Sequence, residues 1–236
     1  MKRRISIAFC SLIMVSCLKQ VDETANGPKA KITIINAALD SDPVTLVLDG
    51  QPINETGIAF GKASGTATNS YMDARPGVQS TVWQVGTTTP AEAKFFQWMP
   101  DAYYTLLQYD TAVGNVAPVI LVTDNITVND TMAKGRFINS VAGNDSLSLW
   151  LINSTDTVKV ANKYPYLGRS GTFLTDFSSS WKPGPRRMEL IDQFGVVLFS
   201  EDIDLAEKIN YSFVAFGESG GTGTKAPVVR KLAQLK

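Results

Sequence analysis

Displaced against itself by 103 residues, the chain realigns: AKITIINA at 30 falls on AKGRFINS at 133, and VTLVLDG at 44 falls on LSLWLIN at 147. Later landmarks keep their order with small slips. FGKASGTAT at 60 matches LGRSGTFLT at 167, and RPGVQSTVWQV at 75 matches KPGPRRMELID at 182. YYTLLQY at 103 matches INYSFVAF at 209, and APVILVTDN at 117 matches APVVRKLAQ at 226. A repeat of this length is a whole folding unit, so any local pattern must build the same architecture twice. Repeat 1 spans 30–126 and repeat 2 spans 130–236.

The pattern inside each copy is that of strands. Val44, Leu46 and Leu48 alternate with Thr45, Val47 and Asp49, and their counterparts Leu147, Leu149 and Leu151 hold the same spacing. Ile32 and Ile34 alternate with Thr33 and Ile35. Period two predicts strands with one buried face. DSDP and DGQP are turns of Asx, Gly and Pro chemistry. About seven short strands per copy, separated by such turns, predict an all-β chain of two tandem immunoglobulin-like β-sandwiches. No Pro- or Gly-rich linker interrupts DNITVNDT at the boundary, so the sandwiches are expected to abut over a modest interface.

Ahead of the repeats lies a targeting segment. Lys2, Arg3 and Arg4 precede an apolar stretch from Ile5 to Val15. That stretch is short for a bilayer span and suits the core of a signal peptide, residues 1–16. Ser16-Cys17 at its end resembles the lipobox of bacterial lipoproteins. The resemblance implies cleavage before Cys17, lipidation of Cys17 and attachment to the membrane through the lipid. Cys10 would leave with the signal peptide, so no disulfide is expected to staple the mature fold. Residues 17–29 are the lipidated N-terminus and a polar, aperiodic tether. Leu18 and Lys19 follow the cysteine where an Asp would signal inner-membrane retention, which places the anchor in the outer membrane, on its periplasmic or cell-surface face.

Charge narrows the partners. The 22 basic and 22 acidic residues balance, and loss of Lys2, Arg3 and Arg4 tips the mature chain acidic. A nucleic-acid partner needs a basic patch that this composition does not supply. The chain has no histidine, which removes the usual general base and the usual ligand of zinc, copper and iron. No cofactor and no metal site are expected.

At this point a family resemblance emerges. Ala30 to Asp40, Val44 to Gly50 and the stretch at 76 to 90 (PGVQSTVWQVGTTTP) resemble the DUF4397 family, in which an N-A-x-x-D strand and turn precedes a D-G hairpin. Repeat 2 is more divergent, with Ile152-Asn153 where Asp49-Gly50 stands in repeat 1. The resemblance implies secreted or lipid-anchored bacterial surface proteins built of β-sandwich repeats. It carries no catalytic residue.

Three kinds of motif bear on chemistry. GESGG at 217 to 221 has the G-x-S-x-G form of a hydrolase nucleophile at Ser219. A strand precedes it, but a Gly-rich loop and another strand follow where a hydrolase elbow needs a helix. Repeat 1 has no serine there, so Ser219 is expected in a hairpin loop between the last two strands. Asp40 and Asp42, with Asn144 and Asp145 in repeat 2, could offer oxygen ligands to calcium, although Asx-turn chemistry explains them as well. Asp110-Thr111-Ala112, Asp130-Thr131-Met132, Asp145-Ser146-Leu147 and Asp156-Thr157-Val158 resemble bacterial O-glycosylation acceptors.

The aromatic residues Trp83, Phe95, Phe96, Trp98, Tyr103, Tyr104, Tyr164, Tyr166, Phe173, Phe177 and Trp181 fall in strand-like runs. Core packing is their default, and alternation places Phe95 and Phe96 on opposite faces. The functional expectation is a non-enzymatic adhesion, scaffolding or binding protein of the envelope. A carbohydrate-binding accessory to glycan uptake, recognisable by an exposed Trp or Tyr row, is the alternative; a surface glycan or another envelope protein is the expected partner.

Overall fold

The computed structural model describes residues 27–87, 94–114, 116–127, 131–144, 146–167 and 174–236. The signal segment, Cys17, most of the tether, Asp130, Asp145 and Phe173 lie outside the described residues.

Repeat 1 contains β1 (Ala30–Asn36), β2 (Val44–Leu48), β3 (Gln51–Pro52), β4 (Lys62–Ala63), β5 (Met72–Ala74), β6 (Gly77–Val85), β7 (Lys94–Trp98), β8 (Tyr103–Gln108) and β9 (Val119–Thr123). Repeat 2 contains β10 (Ala133–Ala142), β11 (Leu147–Ile152), β12 (Thr157–Tyr164), β13 (Ser179–Trp181), β14 (Gly184–Ile191), β15 (Val197–Leu205), β16 (Asn210–Glu218) and β17 (Val228–Gln234). The chain is all-β, and each repeat is a two-sheet sandwich. In repeat 1 the sheets run β4-β1-β8-β9, with β5 also on β1, and β3-β2-β6-β7. In repeat 2 they run β13-β10-β16-β17 and β12-β11-β14-β15. The layering is immunoglobulin-like. The strand order is distinctive: the first strand of each repeat pairs in parallel with the penultimate one, Ile32 opposite Tyr104 and Gly135 opposite Tyr211.

The alternating residues fill the sandwich interiors as their period dictates. Ile32, Ile34, Val44, Leu46, Leu48 and Trp98 form the core of repeat 1. Phe137, Leu147, Leu149, Leu151, Met188 and Phe213 form that of repeat 2. The copies also trade volume in register. Ile32 and Ala74 in repeat 1 correspond to Gly135 and Trp181 in repeat 2 by strand pairing. A Cβ at Gly135 would sit 2.3 Å from the Trp181 ring, so the large partner is admitted because the small one makes room.

Two devices recur in both copies. Asn36 donates from Nδ2 to the carbonyls of Asp42 and Ile58 and accepts the Ala38 N–H on Oδ1. Asn139 does the same with Asn144, Tyr164 and Val141. The Tyr104 hydroxyl accepts the Met99 N–H at 3.1 Å, and the Tyr211 hydroxyl accepts the Ala206 N–H at 2.9 Å. These are tyrosine corners, pinning the entry of the penultimate strand.

Two expectations need correction. β1 is buried on both faces, not one, and the interface between repeats is a third core rather than a modest contact. Ile35, Leu107 and Val122 pack against Ile138, Val214, Phe216 and Leu232. The Phe60 and Phe216 rings meet edge-on at 5.4 Å, and the Ser70 N–H donates to the Ala233 carbonyl at 2.8 Å. The sheet β4-β1-β8-β9 therefore faces its own partner sheet on one side and the second repeat on the other. That is why Thr33 and Ile35 are buried along with Ile32 and Ile34.

Candidate functional site

An apolar concavity opens in repeat 1, between the edge strands β7 and β9. It is a cleft of about 520 Å³, within the range of ligand pockets. Leu46, Trp83, Phe96, Trp98, Leu106 and Leu121 form its walls. The aromatic part is closely packed. Phe96 and Trp98 lie with centroids 4.5 Å apart, and Tyr104 sits edge-on to Trp98 at 5.1 Å. Both indole N–H groups are already engaged, Trp83 with Gln108 Oε1 at 2.7 Å and Trp98 with Thr81 Oγ1 at 3.3 Å. The rings thus present apolar faces. Among the described residues Lys94 is the one charged side chain lining the cleft. At the mouth, Phe95 and Val116 are 78% and 71% exposed.

Repeat 2 treats the same edge differently. Strand register places Lys231 where Leu121 stands and Asp204 where Gln97 stands. Lys231 Nζ donates to the Asp204 carbonyl at 2.7 Å and lies over the Tyr211 ring, bridging β17 to β15. The cleft of repeat 1 is thus a local departure from the shared fold. Sequence reading missed Lys94, Val116, Val119 and Leu121 as a group, because Lys94 lies on one edge strand, Val119 and Leu121 on another and Val116 in the loop before it, and none is unusual in its own segment. The available signal was the difference between copies, KFFQW against EDIDL on the edge strand.

Ser219 lies in the hairpin between β16 and β17, as expected. Its backbone N–H donates to the Ala142 carbonyl at 2.9 Å, and the only helical element that follows is one 3-10 turn, Gly223–Lys225. The nearest lysine in sequence, Lys225, pairs with Asp40 Oδ2 at 2.8 Å across the repeats. That hydrogen bond raises the Lys225 pKa, so the amine stays charged and is no base for the Ser219 hydroxyl.

Asp40 is committed to that ion pair, and among the described residues no three acidic or thiol side chains converge. Of the Asp-Ser/Thr triplets, Asp110 caps the Thr111 N–H at 2.9 Å and Asp156 pairs with Arg186 at 2.7 Å. Trp98, Tyr104, Phe177 and Trp181 are buried, and Trp83, Phe96, Tyr103, Tyr164 and Tyr166 are half-buried. Phe95 is exposed and its neighbour Phe96 turns inward, as their alternation requires. Comparison with family models and with curated proteins gives no match.

Proposed function

We propose that this chain is a lipid-anchored, non-enzymatic binding protein of the bacterial envelope, acting in adhesion or scaffolding. The observation that supports it best is the apolar cleft of repeat 1, open where its twin in repeat 2 is bridged. Among the described residues its walls offer no ionisable group apart from Lys94, so binding rather than chemistry is the role that suits them. The third core packs the two repeats directly against each other, a suitable mount for such a site. Cys17 is the anchor in this reading, the polar tether gives reach, and the outer membrane is the location. Membership of the DUF4397 family belongs to the same proposal.

The carbohydrate alternative draws less support. Its expected exposed Trp or Tyr row is replaced, among the described residues, by rings turned into the core and the cleft. A sugar needs polar partners beside the ring, and both cleft indoles have spent theirs.

Intact-mass spectrometry of the membrane fraction, beside a Cys17→Ala variant, tests the anchor. A wild-type mass equal to a chain beginning at Cys17 plus acyl groups, absent from the variant, is the expected result. An unlipidated wild-type chain in the soluble fraction would overturn it.

A further inference from the structure

We infer that the repeat 1 cleft captures an extended segment of a partner protein, which adds as a strand to the free edge of β7 and sends alternate apolar side chains into the cleft. The inference rests on the reading of the chain as a binding protein and is independent of the anchor.

Three observations carry it. The first is hydrogen-bonding capacity. The cleft walls are apolar and their indole N–H groups are engaged, so the polar groups left at the mouth are the Lys94 ammonium and the main chain of the edge strands. Among the described residues β7 is the last strand of its sheet and pairs with β6 alone. Its outward N–H and C=O groups are a template for another backbone. A compact apolar molecule would leave that template unused, whereas an extended peptide fills both the edge and the cleft.

The second is the missing guard. Edge strands are ordinarily protected by charge. In repeat 2 the corresponding edge strand exposes Glu201, Asp202 and Asp204. By register these become Lys94, Phe95 and Gln97 in repeat 1. The acid that would repel an incoming strand is replaced by a phenylalanine that is 78% exposed. The exposed apolar rim continues across the mouth through Val116 and Val119, which extends the contact surface beyond what a small ligand covers.

The third is charge. Among the described residues Lys94 is the sole ionised group lining the cleft, and it makes no ion pair with another described residue. It therefore favours an acidic residue beside the apolar run of the captured segment. A second copy of this chain does not fit as the occupant. Its own β9 is paired to β8 and packs Val122 into the third core, and its β7 turns Phe96 and Trp98 into its own cleft. Neither can lend side chains to a neighbour's cleft.

The test uses the full chain carrying Cys17→Ala and a synthetic peptide, acetyl-Thr-Val-Thr-Val-Thr-Val-Asp amide. Trp83 and Trp98 report occupancy through their fluorescence. Saturable binding is expected, with at least a tenfold loss when the peptide's edge-facing amides are N-methylated. Phe95→Asp, a surface change that restores the acid of repeat 2, is expected to weaken binding tenfold or more with an unchanged circular dichroism spectrum. Lys94→Glu is expected to reverse the preference, favouring a peptide ending in Lys over one ending in Asp. Equal binding of the methylated peptide would overturn strand addition while leaving apolar binding intact. Absence of binding by either peptide, or a cleft closed by dimerisation at micromolar concentration, would overturn the inference outright.

Discussion

Arg136 of the second repeat donates from Nη1 to Asp124 Oδ1 of the first at 2.7 Å, and neither side chain is more than 1% exposed. The guanidinium also donates to Ser212 at 2.7 Å, to Thr105 at 2.9 Å and to the Leu174 carbonyl, and lies over the Phe177 ring. Asp124 Oδ2 in turn accepts from Tyr71 and Thr105, each at 2.7 Å. The pair is therefore dry but satisfied, which is the condition under which a buried ion pair is tolerated. Asp124→Ala should cost about 3–5 kcal/mol, because it strands the guanidinium without its counter-charge. Urea denaturation read by circular dichroism and by tryptophan emission should give coincident single transitions for the wild type, since the third core couples the halves. Adding Arg136→Met to Asp124→Ala should recover part of the loss. A double variant less stable than the sum of the singles would sink this account.

Asn36 and Asn139 make a matched second case. Each side chain closes the same two carbonyls and one N–H in its own repeat, and both residues are buried. Replacement by Ala leaves those groups without partners, at about 1–3 kcal/mol per site. Asn36→Ala and Asn139→Ala should therefore lower the denaturation midpoint by similar amounts. A large effect at one and none at the other would show that the repeats do not share the device.

These examples separate what was legible in the sequence from what was not. The N-A and N-S pairs, at the end of β1 and within β10, stood out in the self-alignment because they do the same local work twice. Core positions such as Leu46 and Leu149 were legible because burial on one sheet face leaves a period of two. Ile35 and Thr33 were not, because their burial comes from the other repeat, and a strand covered on both faces loses its alternation. Arg136 was illegible for a related reason. It aligns with Thr33, and nothing local to AKGRFINS announces an acid at the far end of the preceding repeat. The cleft was hidden because its wall residues are individually ordinary. What marks it is the substitution of Leu121 for Lys231 and Phe95 for Asp202, visible only once strand pairing fixes the register.

Ser219 gives a prediction about chemistry. The hydroxyl sits on a loop with no histidine in the chain and with Lys225 held by Asp40. A fluorophosphonate probe, which labels activated serines, should leave the wild-type protein unlabelled at neutral pH. Ser219→Ala should match the wild type in denaturation midpoint within about 0.5 kcal/mol, as expected for an exposed position whose backbone makes the structural bond. Labelling of the wild type that disappears in Ser219→Ala would overturn the loop reading.

Asp156 gives a dependence on pH. Its carboxylate accepts from Arg186 Nη1 at 2.7 Å, and the Arg186 side chain is 2% exposed while that of Asp156 is 49% exposed. The hydrogen bond from Arg186 holds the Asp156 pKa below the ordinary carboxylate value. A depressed folded pKa means that the unfolded chain takes up the proton first as pH falls. The contribution is thus fully present above the unfolded value, about 3.9, and is lost as pH drops through the lower folded value. Asp156→Asn should be less stable than the wild type at neutral pH, since the neutral amide can still accept from Arg186 but no longer supplies the charge that pairs with the guanidinium. The gap in thermal midpoint should hold steady down to about pH 5 and close below about pH 4. Because half of Asp156 faces solvent, added salt should narrow the neutral-pH gap as well. Midpoint curves that stay parallel from neutral to acid pH would show that the Arg186 pair does not set the carboxylate's titration.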